Sequence, residues 1–230
     1  MDNLYSNLSV YINLNIIYVP EDTDYPCIDV KDMEYKIIEY GHVSIWNVSS
    51  VSNFTKYNDF CFAELSENKK FNQSLNNWNL SNVNEISYMF SNMKNFNQAL
   101  NKWNTYNFTN IDSMFEYAIK FNKKLNYWNV SNVTKINYMF YHAEKFNQSL
   151  NYWDISNVEI LAGVFCNTYN FNQSLNYWNV SNVTKMSYVF SDSVCNKSLL
   201  KWDISKVEDK TKIFCECNIE EKNKPEIKIK

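Results

Sequence analysis

The chain has 230 residues, a formal net charge of −3 and an apolar fraction of 45%. That apolar content excludes a disordered polymer. A slightly acidic chain whose 22 basic residues are all lysine offers no electrostatic case for nucleic acid.

The first residues, MDNLYSNLSVYINLNIIYVPED, lack a basic stretch, and Asn and Ser interrupt their apolar positions. Neither a signal peptide nor a transmembrane helix is expected there. Later segments have no run of about eighteen apolar residues, so no membrane insertion is expected. These features predict a soluble protein of the cytoplasm. Residues 1–40 carry no repeat and are expected to form an N-terminal cap.

Residues 41–214 repeat. All seven tryptophans stand on one ladder: Trp46, Trp78, Trp103, Trp128, Trp153, Trp178 and Trp202. The steps are 32, 25, 25, 25, 25 and 24, so the first coil carries an insertion around NDFCFAELSENKK. Other columns keep the step: Leu75 to Leu199 before each Trp, Val83 to Val207 after it, Phe90 to Phe214 further on, and Phe71 to Phe171 with Cys195 ending the series. Such a period means stacked coils, each completing its core only against its neighbours. Within LNYWNV, Trp128 and Val130 alternate as in an extended strand. From Val133, the apolar residues Ile136, Met139, Phe140, Ala143 and Phe146 are three and four apart, as on one helix face. The expected fold is therefore an α/β solenoid of about seven coils. Each has a short parallel strand and a short helix. Residues 215–230 read as a C-terminal tail, frayed over EEKNKPEIKIK.

The pattern L-x-x-W-x-V-x-x-V-x-x-I-x-x-x-F in LNYWNVSNVTKINYMF resembles the BspA-like leucine-rich repeat. It is closer to the tryptophan-containing subclass, FNQ-x-L-x-x-W-x-V-S-N-V-T-x-M-x-x-MF, which occurs in mycoplasmas and in the tryptophan-repeat gene family of insect poxviruses. The resemblance spans residues 38–214. It implies a leucine-rich-repeat-like solenoid with its strands on a concave face, and a general binding scaffold. BspA-like proteins are surface proteins; with no export signal here, a viral protein acting in the host-cell cytoplasm is expected instead.

In that geometry the residues flanking each Trp face the concave side. Before the Trp stand Asn77, Lys102, Tyr127, Tyr152, Tyr177 and Lys201. After it stand Asn79, Asn104, Asn129, Asp154, Asn179 and Asp203. The candidate binding residues are Tyr127, Tyr152 and Tyr177 with Asn129, Asp154 and Asn179, because Tyr supplies rigid contact area with a polar tip. Duplication of a plain solvated face would copy the same row. Two further Asn columns, Asn82 to Asn182 and Asn72 to Asn172, are expected to satisfy backbone groups at turns.

Six cysteines, Cys27, Cys61, Cys166, Cys195, Cys215 and Cys217, read as reduced thiols. Cys166 and Cys215 share a slot two coils apart, about 10 Å by strand spacing, too far for a disulfide. The CEC at Cys215–Cys217 lacks a second Cys or His pair, so no metal is expected. His42 and His142 have no catalytic companions, and two glycines make no phosphate loop. No cofactor and no enzymatic activity are expected. The expected function is protein binding through the concave face. Alternatives are a structural or self-associating repeat protein, monomeric or weakly joined end to end, and a surface adhesin or glycan-binding protein.

Overall fold

A computed structural model describes residues 48–49, 51–54 and 71–226. The expected cap at 1–40, Trp46, the insertion, Cys27, Cys61 and His42 lie outside the described residues. The coils stack in parallel. Single bridges join Asn53 to Glu85, then Asn110, Lys135, Ile160, Lys185 and Asp209 in succession. Their steps, 32 and then 25, 25, 25, 25 and 24, equal those of the tryptophan ladder, long first step included.

The contents of each coil differ from the α/β expectation. Among the described residues the only helical element is a 3₁₀ turn at Glu221–Asn223. Among the described residues no sheet forms, because strand pairing is limited to the single bridges. The segment read as a helix is a chain of β-turns: Tyr141 N–H donates to Tyr138 O, Ala143 to Phe140 and Phe146 to Ala143, at 3.0, 2.9 and 2.9 Å. Between them Tyr138 and His142 adopt left-handed φ values of 55° and 54°. Each such residue reverses the winding, so no i→i−4 bond closes and no helix accumulates. Turns of three residues still bring every third or fourth side chain inward, which reproduces a helical apolar spacing.

The remaining N–H groups of this segment point to the next coil. Tyr138, Phe140 and His142 donate to Ala162, Val164 and Cys166 at 2.8, 3.0 and 3.0 Å. The same row recurs from Ser113, Phe115 and Tyr117, and from Gly163, Phe165 and Asn167. The expected strand at Trp128–Val130 has no such ladder. It lies between two turns, Trp128 N–H to Leu125 O and Val133 N–H to Val130 O. The period-two alternation there comes from two turns placed back to back.

The core is aromatic and runs the length of the stack. Phe90, Phe115, Phe140, Phe165, Phe190 and Phe214 stack at 5.4–5.9 Å between successive centroids. The column Phe71, Phe96, Phe121, Phe146 and Phe171 stacks at 6.0–6.1 Å. Within each coil the two columns meet at 3.9–4.1 Å. Trp rather than another large apolar residue is used because its indole N–H reaches a buried carbonyl in the preceding coil. Trp103, Trp128, Trp153, Trp178 and Trp202 donate to Leu75, Leu100, Leu125, Leu150 and Leu175 at 2.7–3.1 Å.

Both Asn columns act as expected. The side-chain oxygen of Asn72 accepts from Asn97 N–H. Asn97, Asn122, Asn147 and Asn172 each repeat the bond to the coil after, at 2.8–3.1 Å overall. Asn82, Asn107, Asn132, Asn157 and Asn182 donate to backbone carbonyls of the preceding coil. Asn122 also accepts from Gln148 Nε2 at 2.8 Å. Asn122→Ala leaves two donors of the next coil unpaired and should cost about 1–3 kcal/mol in denaturant unfolding.

The tail is docked rather than frayed through Glu226. Ile219 and Pro225 are buried. Glu220 N–H bonds the Asn196 side chain at 3.0 Å, and Leu199 N–H bonds Asn223 O at 2.8 Å. This half-coil continues the Asn column by one step.

Candidate functional site: the tyrosine row

Leu125 and Trp128 are both buried, and the turn between them pushes Tyr127 outward. The same turn closes between Leu150 and Trp153 and between Leu175 and Trp178. Tyr127, Tyr152 and Tyr177 are therefore 71%, 81% and 60% exposed. They occupy turn tips, not a strand on a concave face. Tyr152 and Tyr177 stack at 5.7 Å with their planes 16° apart. Lys201 closes one end of the row, its ammonium 4.7 Å from the Tyr177 centroid. At the other end Lys102 donates to Asn77 Oδ1 at 3.1 Å. A shallow recess of about 330 Å³ opens there, lined by Asn76–Leu80, Lys102 and Asn104.

Asn129, Asp154 and Asn179 lie on the same exposed band. Each already uses one side-chain oxygen to accept the N–H two residues on, from Ser131, Ser156 and Ser181 at 3.0, 3.0 and 3.1 Å. These Asx turns hold the exit from the Trp position. The structure thus brings all six predicted residues together, with the Tyr side chains projecting and the Asn/Asp side chains bracing the turns.

Sequence reasoning missed a second aromatic group, 11 residues along the coil from Tyr127. Tyr138 meets Tyr141 at 5.8 Å, and Tyr141 meets Tyr117 at 5.3 Å, both edge to face. His142 stacks on Tyr117 at 4.7 Å and meets Tyr169 edge-on at 6.5 Å. The signal was present in the spacing of Tyr117 and His142, which share one slot in adjacent coils, but helical numbering scattered them. Burial, then the hydrogen bond with Tyr117, holds the Tyr141 hydroxyl up at about 12. Burial lowers the His142 pKa, against the opposing pull of Glu144 and Asp192. Gly163 also belongs here. It has φ 59°, and a Cβ built on it would sit 2.4 Å from the Tyr138 ring.

Other reactive groups are held in structural roles. Cys166, Cys195, Cys215 and Cys217 are free thiols. Burial pushes Cys166 and Cys195 up to about 11, which keeps both protonated. Cys217 Sγ accepts from Ile219 N–H at 3.4 Å. Burial also raises the Asp112 carboxyl, whose oxygen accepts Asn137 N–H from the next coil. Among the described residues no three His, Cys, Asp or Glu side chains gather as metal ligands, and no helix is long and apolar enough to cross a membrane.

A family model described as "Mycoplasma protein of unknown function, DUF285" matches the chain twice, through residues 59–165 and 144–227. Searches of curated proteins and of solved structures return no match. The two matches together span most of the repeat array and agree, at the coarse level, with the BspA-like resemblance. The chain belongs to the DUF285 family.

Proposed function

We propose that this protein is a non-enzymatic protein-binding module that engages its partner through Tyr127, Tyr152 and Tyr177. The observation carrying this reading is the row itself: three large side chains, mostly solvent-exposed, held at identical turn tips by a rigid core. Exposed aromatic surface on a fixed scaffold costs little entropy on binding. The faces of Tyr152 and Tyr177 are turned to each other, which favours protein contacts at ring edges and hydroxyls over sugar stacking. Within its family we place the chain in the tryptophan-repeat subclass and read it as a viral host-interaction protein of the cytoplasm. The Trp-x-Val-Ser-Asn-Val-Thr motif and the sequence composition support that placement.

The test is a pull-down from host-cell cytosol with wild type and a Tyr127→Ala/Tyr152→Ala/Tyr177→Ala variant. The exposed substitutions should leave unfolding within about 0.5 kcal/mol of wild type per site. The variant should lose a partner that wild type retains. Identical capture by both proteins would sink the assignment.

End-to-end self-association is a second reading with its own support. The ladder donors of the last described coil, the N–H groups of Lys210, Lys212, Phe214 and Glu216, have no acceptor among the described residues. Such an unpaired edge invites another backbone. Sedimentation velocity across a wide concentration range separates the readings, since a constant monomer removes the second.

A further inference from the structure

The aromatic group at Tyr117, Tyr141, His142 and Tyr169 lies beside two carboxylates, Glu144 and Asp192. Asp192 follows Tyr117, His142 and Asn167 in one left-handed slot of successive coils, and Glu144 stands one coil before Tyr169 in its slot, its carbonyl accepting from Asn170 Nδ2 at 2.6 Å; the carboxylates of both act on His142 and Tyr169. Two exposed tyrosines elsewhere carry the chain's own cations: Lys201 lies over Tyr177 and Lys212 over Tyr188. Among the described residues no lysine lies over Tyr117, Tyr141 or Tyr169. Tyr169 is 47% exposed and its hydroxyl is anchored on Asn167 at 3.1 Å, so the ring is both accessible and positioned. Rings with a negative π face beside carboxylates form a receptor for a desolvated cation.

We infer that this cluster binds a basic peptide segment, with a lysine ammonium or arginine guanidinium held over the tyrosine rings and neutralised by Glu144 and Asp192. The ring quadrupoles supply attraction along the face, and the carboxylates supply the charge complement. The site shares no residue with the tyrosine row, so it stands whether or not that row binds protein.

The test uses the full chain and fluorescein-labelled octalysine, titrated by anisotropy at low salt, where charge attraction is least screened. Glu144→Gln/Asp192→Asn should bind about tenfold more weakly than wild type. Tyr169→Ala should also weaken binding, which bulk charge alone would not do. A control pair removed from exposed carboxylates elsewhere, Glu159→Gln/Glu208→Gln, should bind as wild type. Circular dichroism confirms that each variant retains the wild-type fold. The inference is overturned if wild type does not bind, if the two carboxylate pairs lose affinity equally, or if folded Tyr169→Ala binds like wild type.

Discussion

Trp153→Ala should destabilise the protein by about 3–5 kcal/mol, whereas Trp153→Phe should cost about 1–2 kcal/mol. The two numbers separate two jobs of one side chain. Trp153 is 3% exposed and stacks on Trp128 at 6.3 Å with the planes 4° apart. Alanine removes that ring and leaves a cavity between coils. Phenylalanine refills most of the space but cannot donate. It strands one lone pair of the Leu125 carbonyl, which accepts the indole N–H at 3.0 Å. The carbonyl keeps its bond from Trp128 N–H, so the loss is one acceptor site rather than a wholly orphaned group. Urea unfolding of both variants at unchanged m-value measures the difference. A Trp153→Phe cost near zero would show that the indole N–H contributes nothing.

Phe140→Ala should cost about 3–5 kcal/mol, and Phe214→Ala much less, about 1–2 kcal/mol. Phe140 is fully buried and touches rings on three sides: Phe115 at 5.7 Å, Phe165 at 5.8 Å and Phe146 at 3.9 Å. Its removal therefore interrupts one phenylalanine column and strips the other of its neighbour in that coil. Phe214 ends its column, is only partly buried, and has Phe190 on one side and the Lys224 ammonium 5.5 Å away on the other. Stability in a stacked array is a sum over neighbours, so a terminal ring has less to lose. Thermal or denaturant unfolding of both variants checks the ratio.

The register of the stack was legible because it is written in side chains that must be buried. Trp78 to Trp202 and Phe90 to Phe190 count coils directly, and the bridges from Asn53 to Asp209 repeat their steps. The Asn columns were legible for a related reason, since an amide repeated at a turn has backbone groups to satisfy. Local conformation was not legible. Ile136, Met139, Phe140 and Ala143 have helical spacing, yet the backbone reaches it through consecutive turns separated by Tyr138 and His142 in the left-handed region. Neither residue is the glycine that advertises positive φ. The tyrosine row was found by position alone, and its placement at turn tips follows from the Leu-to-Trp turn. The second aromatic group stayed hidden because Tyr117 and His142 meet only once the left-handed slots are known to stack.

Native-state hydrogen exchange tests the architecture most directly, because it reports which amides join one coil to the next. Slow exchange is expected in alternating positions along the turn segment: Ser113, Phe115 and Tyr117, then Tyr138, Phe140 and His142, then Gly163, Phe165 and Asn167. Amides at Asn129 and Val130, between the Trp and the following turn, should exchange faster. Strongest protection centred on Trp128–Val130, with the turn segments protected in unbroken helical runs, would contradict it.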